Sequence, residues 1–444
     1  MKRTLMSAAL PMALLFGGLA HGKGPGIRTG DFVLHPGAFV AAGWDDNVFY
    51  DNSDEFLSPR NGAAVFKFGG DLQLENRNPS RLKLELGTGI KFRIFSASET
   101  QGEQPGAQSA ISERNGVESG SLDGKLTLFP KRAVAFRLEE SLRFSDTPAY
   151  EVSVVGFEKL DNSVGGDIIF QPGSNPNARA LTMSLGYRLH TITFFDASQV
   201  GAQRAEMLSH EARLLTRLQL LPKTALLLDV QWAFSDYGEG DPRVDPNTLE
   251  TVNDPSRDAK PLYLRLGLQG LITRRLSLNV RGGYANTFNV EGSSYSGFVG
   301  LLELQYKLEP SLAFTLGGEW DATGSNFSNF VVRKGVYTSL NLAFQQAYIN
   351  TRVGYDIYDY SDSGRPVTSP SREDPLLRAK AELGYNIRTW ARASVSWSYE
   401  NNSTDFKSPS DEALAVIRQT SPGAQQDLAA YTRQLIMLQV EADY

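Results

Sequence analysis

The sequence predicts an all-β fold, a transmembrane antiparallel up-and-down β-barrel of about eighteen strands that follows a cleaved signal peptide. Three observations predict it: side chains alternate between apolar and polar along many segments, the segments are joined by alternately short and long connections, and the last segment alternates up to a terminal tyrosine. Successive side chains on a strand point to opposite faces, so a wall with lipid outside and water inside must alternate in this way.

Residues 1–22 read as the signal peptide: Lys2 and Arg3 precede an apolar run from Leu5 to Leu19, and Ala20-His21-Gly22 supplies small residues for cleavage. No later stretch is apolar enough to cross a membrane as a helix, and no linker or low-complexity segment divides residues 23–444, which are expected to form one barrel. The chain has no cysteine, which excludes a disulfide frame and a thiolate metal site. A net charge of −6 selects no partner class, and nucleic acid is not expected as one. Forty-one glycines and 24 phenylalanines beside 41% hydrophobic residues suit a sheet with one wet face.

The alternation is clearest at 81–94. Leu82, Leu84, Leu86, Thr88, Ile90, Phe92 and Ile94 share one face, and Arg81, Lys83, Glu85, Lys91 and Arg93 share the other. At 134–144 it recurs with Val134, Phe136, Leu138, Leu142 and Phe144 outward and Arg137, Glu139 and Arg143 inward, although Glu140 breaks the pattern on the outer face. Further runs lie at 224–234, 262–272, 298–308 and 376–387.

Short turns at 76–80, 130–132, 171–177, 221–223, 273–275, 309–311, 345–346 and 386–389 belong to the periplasmic side. Longer segments near 45–62, 96–114, 146–160, 195–203, 236–259, 286–294, 321–333, 359–374 and 400–426 belong outside, the segments 236–259 and 400–426 being candidate plugs. Aromatic residues collect at strand ends, among them Trp44, Phe95, Trp320 and Tyr355 at one end and Phe170, Tyr306, Phe344 and Tyr385 at the other, as membrane interfaces favour. In the last segment Ile436, Leu438, Val440, Ala442 and Tyr444 alternate with polar residues; this is the kind of closing strand that barrel-assembly machinery reads.

No catalytic site is expected. Of four histidines, His21 belongs to the signal peptide, His35 to the start of the first strand, His190 to the inner face and His210 to the outer face. The acid-rich loops match no calcium-loop spacing, so neither a metal nor a cofactor is assigned.

The inner face carries the functional expectation. Arg93, Arg137, Arg143, Arg188, Arg213, Arg217, Arg265, Arg281, Arg352, Arg378 and Lys380 are expected to line the lumen, with fewer acids among them. Such a lining either forms ion pairs across strands or presents charge to a passing solute. Inner aromatics are sparse, chiefly Tyr263, Tyr337, Tyr348 and Tyr358, which argues against a continuous sugar-stacking track.

The segment from His35 to Phe49, above all Asp45-Asp46-Asn47, resembles the opening of the β-barrel porin type 2 family. The resemblance implies an outer-membrane barrel associated with exopolysaccharide or capsule export, working with a periplasmic polysaccharide export protein. The expected function is therefore a pore that secretes a polysaccharide across the outer membrane, amid lipid and lipopolysaccharide. Two alternatives stand beside it: a general diffusion porin for small solutes, and a structural or surface-binding barrel with a plugged lumen.

Overall fold

A computed structural model describes residues 24–48, 62–96, 114–146, 158–173, 179–195, 206–238, 243–244, 251–252, 256–325, 328–361, 372–404 and 430–444. The signal peptide lies outside the described residues, as do most of 236–259 and 400–426, the candidate plugs.

The chain opens with β1 (Ile27–Thr29), β2 (Phe32–Asp45), β3 (Ala63–Asn76), β4 (Leu82–Phe95) and β5 (Gly116–Leu128). It continues through β6 (Val134–Ser145), β7 (Lys159–Phe170), β8 (Leu181–Phe194), β9 (Met207–Leu221) and β10 (Thr224–Tyr237). A two-stranded ribbon of β11 (Arg243–Val244) and β12 (Thr251–Val252) stands apart from the main sheet. The second half comprises β13 (Leu262–Leu271), β14 (Leu276–Asn286), β15 (Ser296–Glu309), β16 (Leu312–Gly324) and β17 (Phe330–Phe344). Then come β18 (Ala347–Tyr360), β19 (Glu373–Arg388), β20 (Ala391–Asn402) and β21 (Tyr431–Asp443).

Among the described residues, β2–β10 and β13–β21 make an eighteen-strand antiparallel ring, each strand bonded to its chain neighbours, with β2 returning to β21. The short β1 folds back on the start of β2. No described helix is long and apolar enough to cross a membrane; the crossing is made by strands of 10 to 16 residues.

Alternation sets the two faces. Leu138, Leu185, Leu266, Val336, Leu383 and Leu438 stand exposed outward, and Trp44, Phe195, Trp232, Trp320 and Tyr355 ring the loop end, with Phe170, Phe344, Tyr385, Trp390 and Tyr444 at the turn end. An exposed apolar wall of this size is stable only against lipid, and a closed ring leaves no unpaired edge there. The barrel therefore belongs to an outer membrane. Phe95 departs from the expected outer belt: it turns inward, 6% exposed, packed with Val65 and lying under the Arg93 guanidinium. The loop expected at 321–333 is shorter, because β16 runs to Gly324 and β17 starts at Phe330.

The seam between the first and last long strands is held at both ends. At the turn end the Tyr444 amide donates to the Pro36 carbonyl, and His35 Nδ1 lies 3.2 Å from the Tyr444 main-chain oxygen. At the loop end Asp45, 1% exposed, takes a bidentate ion pair from Arg433 of β21, with Nη2–Oδ2 at 2.5 Å. Asp46 accepts from the Gln434 amide, and the fully buried Asn47 donates through Nδ2 to the Thr432 carbonyl at 2.9 Å. The Asp45-Asp46-Asn47 segment is thus the clasp that carries the pairing of β2 with β21 beyond the end of β2.

Replacing Arg433 by Ala leaves the buried Asp45 carboxylate without its guanidinium, a loss worth about 3–5 kcal/mol for a buried pair. The guanidinium midpoint of the variant in micelles should fall accordingly, read from the shift between folded and unfolded bands on unheated gels.

Candidate transport lumen

The inner wall is built from side chains laid flat on neighbouring strands. Inward glycines make room for them: a Cβ on Gly317 would stand 2.1 Å from the Tyr337 ring, and one on Gly384 would stand 2.1 Å from the Tyr348 ring. Tyr337 crosses its glycine to donate to Glu303 at 2.6 Å, and Tyr348 donates to Glu382 at 2.7 Å. Tyr263 donates to the Ala322 carbonyl, and Tyr358 accepts from Arg378. All four tyrosines expected on the inner face are there, but they are bonded to the wall and do not form a continuous track along it.

Most of the expected basic lining is paired. Arg93 binds Asp146 at 2.7 Å and lies 3.7 Å from Glu118, which also takes Lys67 at 2.5 Å. Glu139 gathers Lys125, Arg137 and Arg188 at 2.9, 3.2 and 3.3 Å, and Arg137 also reaches Asp167. Arg213 grips Asp229 through two bonds of 2.9 and 2.7 Å, and Arg265 reaches Asp321 at 3.1 Å. Arg378 stands 3.8 Å from Asp356, which Arg333 binds at 2.8 Å. Arg143 has a longer contact, 3.8 Å to Asp123.

Two expected residues make no ion pair among the described residues. Arg217 is exposed on β9, and Arg281 on β14 keeps a buried Nε without a partner. Arg352 lies over the Tyr337 ring at 4.0 Å and borders, with Arg333, Gly354, Asp356, Arg378 and Lys380, a notch in the wall. At the loop-end rim, outside the strands, burial pushes the Asp146 carboxyl up from its usual value against the pull of Arg93 and Arg114.

More acids line the inner wall than alternation alone picks out. Glu118, Asp161, Asp167, Asp321 and Glu441 all face the lumen bases. Asp161 and Asp167 alternate along β7 and could have been read from the sequence. Glu118 was hidden by a register shift opposite Lys91 and Phe92, and Arg333 by the overlong loop assigned to 321–333. Arg81, counted with the lumen, sits in the turn before β4.

His190 faces inward and its Nε2 lies 2.9 Å from Asp161, while His210 faces outward. Ser163 stands opposite His190 in register, but no hydrogen bond joins the hydroxyl to the ring, so the nucleophile–base contact of acyl transfer is not made.

No family model matches the chain, and no curated protein matches it. Among solved structures it is similar to Acinetobacter baumannii OccAB4, at 10% identity over 93% of this chain and 98% of that one, with a TM-score of 0.45. Pseudomonas aeruginosa OccK2 (OpdF) gives 11% identity over 92% and 98%, with a TM-score of 0.48. Pseudomonas aeruginosa OpdQ gives 11% over 93% and 98%, with a TM-score of 0.45.

Because Tyr337 fills the space over Gly317, a Gly317→Leu substitution should drive the ring into the lumen and lower single-channel conductance. Adding Tyr337→Ala to the same chain should restore it, as planar-bilayer recordings can check.

Proposed function

We propose that the barrel is a general diffusion channel for small hydrophilic solutes, with weak ion selectivity. The observation that carries this reading is the cross-neutralised inner wall: acids and bases on adjacent strands hold each other against the sheet, in a ring of a size that encloses an aqueous channel. Charge rings set selectivity in proportion to the charge they leave uncompensated, and little is left here. Arg217 and Arg281, which make no ion pair among the described residues, pull toward anions, and Glu303 and Glu382, held by tyrosine hydroxyls, pull the other way, so the net preference is small.

Secretion of a polysaccharide, the first expectation, drew on Asp45-Asp46-Asn47, whose side chains are committed to the seam. The tyrosines that could stack on a sugar are bonded down, which favours the small-solute channel.

Vesicles containing the purified barrel should swell in isosmotic arabinose, and their bilayer currents in a potassium chloride gradient should reverse close to zero potential. Joint replacement of Arg217 and Arg281 by Ser should move the reversal toward cation preference. Vesicles that do not swell would contradict the channel reading.

A further inference from the structure

At two places on the described inner wall a base stands directly opposite another base. Lys67 of β3 faces Arg93 of β4, and Arg352 of β18 faces Lys380 of β19. Opposed side chains on neighbouring strands have Cβ atoms about 5 Å apart, and like charges placed so repel each other. Such a pair persists where negative charge stands beside it. At the first place two carboxylates answer two bases, Glu118 taking Lys67 and Asp146 taking Arg93.

The second place is built differently. Ser339 of β17 and Ser398 of β20 extend the row on either side, so that it runs Ser339, Arg352, Lys380, Ser398, four side chains that can all donate. The Arg352 guanidinium lies on the Tyr337 ring, which its own bond to Glu303 holds in place, and a stacked guanidinium keeps its N–H groups at the edge. The row borders the notch, to which Gly354 adds no side chain; a Cβ there would have only ordinary contacts, the nearest 3.5 Å from Tyr337. Arg333, Arg352, Arg378 and Lys380 line the notch against Asp356 and Glu400, four positive charges to two negative. Glu319 and Glu382 stand outside the lining, the first bound to Arg333 and the second accepting from the Tyr348 hydroxyl.

We propose that this notch is a subsite for a small dianion, inorganic phosphate or the phosphate of a phosphomonoester, held between Arg352 and Lys380 with Ser398 donating beside them. It rests on the channel reading for the route by which the anion arrives. A lone carboxylate asks for less than the row offers: in this same wall Arg213 alone satisfies Asp229 through two bonds. A phosphate brings three acceptor oxygens and nearly two charges, which match a guanidinium fork, an ammonium and a hydroxyl, and the excess of two positive charges in the lining. The notch lies open on the wall, so the anion is retained and then released, as a site on a conduction path requires.

Inorganic phosphate, added to single channels carrying potassium chloride at a pH where it is a dianion, should reduce the current saturably, and acetate at the same concentration should not. Lys380→Met and Arg352→Met should each raise the half-blocking phosphate concentration about tenfold, the loss of one charge-assisted hydrogen bond. Arg143→Ser, which removes a base from β6, should leave it unchanged. Gly354→Asp should abolish the block by setting a carboxylate of the chain beside the two bases. The chloride current of each variant shows that its barrel is folded and open. Binding is also read without current: phosphate should raise the thermal midpoint of the parent barrel in micelles and leave that of Lys380→Met where it was. A chloride-conducting channel that phosphate neither blocks nor stabilises, equal block by acetate, or an unchanged block in Lys380→Met would overturn the subsite while the channel reading stands. A barrel that phosphate stabilises but that carries no current would support the subsite and contradict the channel reading.

Discussion

Every backbone amide of a strand in hydrocarbon must find its partner within the protein, because no water is present to replace it. The ring of strands is therefore a single constraint, and its closure between β2 and β21 is the step on which all other pairings depend. Neighbouring hairpins are joined by turns of a few residues, whereas this pair is brought together from opposite ends of the chain. The side chains concentrated at the seam answer that difference. Asp45 and Arg433, with Asp46 and Asn47 beyond them, fix the loop end, and Pro36, His35 and Tyr444 fix the other.

Once the ring is closed, its inner face is decided by what a wet but confined surface can hold. Long basic side chains could project into the pore, yet most lie across a glycine or against an acid on the next strand. Glu139, which gathers three bases from β5, β6 and β8, shows how one carboxylate can order several strands at once. Each exposed pair adds little to stability by itself. Together they hold the described inner side chains against the wall and, in the proposed channel, remove most of the net charge that a passing ion meets.

The fold was legible from the sequence because lipid imposes the simplest of patterns. Leu82 to Ile94 could be assigned to faces one residue at a time, and both termini of the ring could be placed from the alternation of short and long connections. The candidate site was legible in part. Inward direction follows from alternation, and the eleven basic residues share the inner face of their strands, but pairing depends on register, and register is not written in a single strand. Glu118 sits at a shift in the ladder, and Arg333 sits where Gly- and Ser-rich residues 324–328 suggested a longer loop. The meaning of Asp45-Asp46-Asn47 was beyond reach for a related reason: its partners, 385 to 388 residues away, come near only when the barrel closes.

The central claim is that one face of each strand lines water and the other lipid, and a cysteine-free chain lets it be measured directly. Single cysteines placed at successive positions from Arg352 to Tyr355 in β18 should react with a membrane-impermeant thiol reagent at Arg352 and Gly354 and stay unmodified at Val353 and Tyr355. A lipid-soluble reagent should give the reverse. Protection at all four positions from the impermeant reagent, or uniform reaction with it, would contradict a closed barrel around an aqueous lumen.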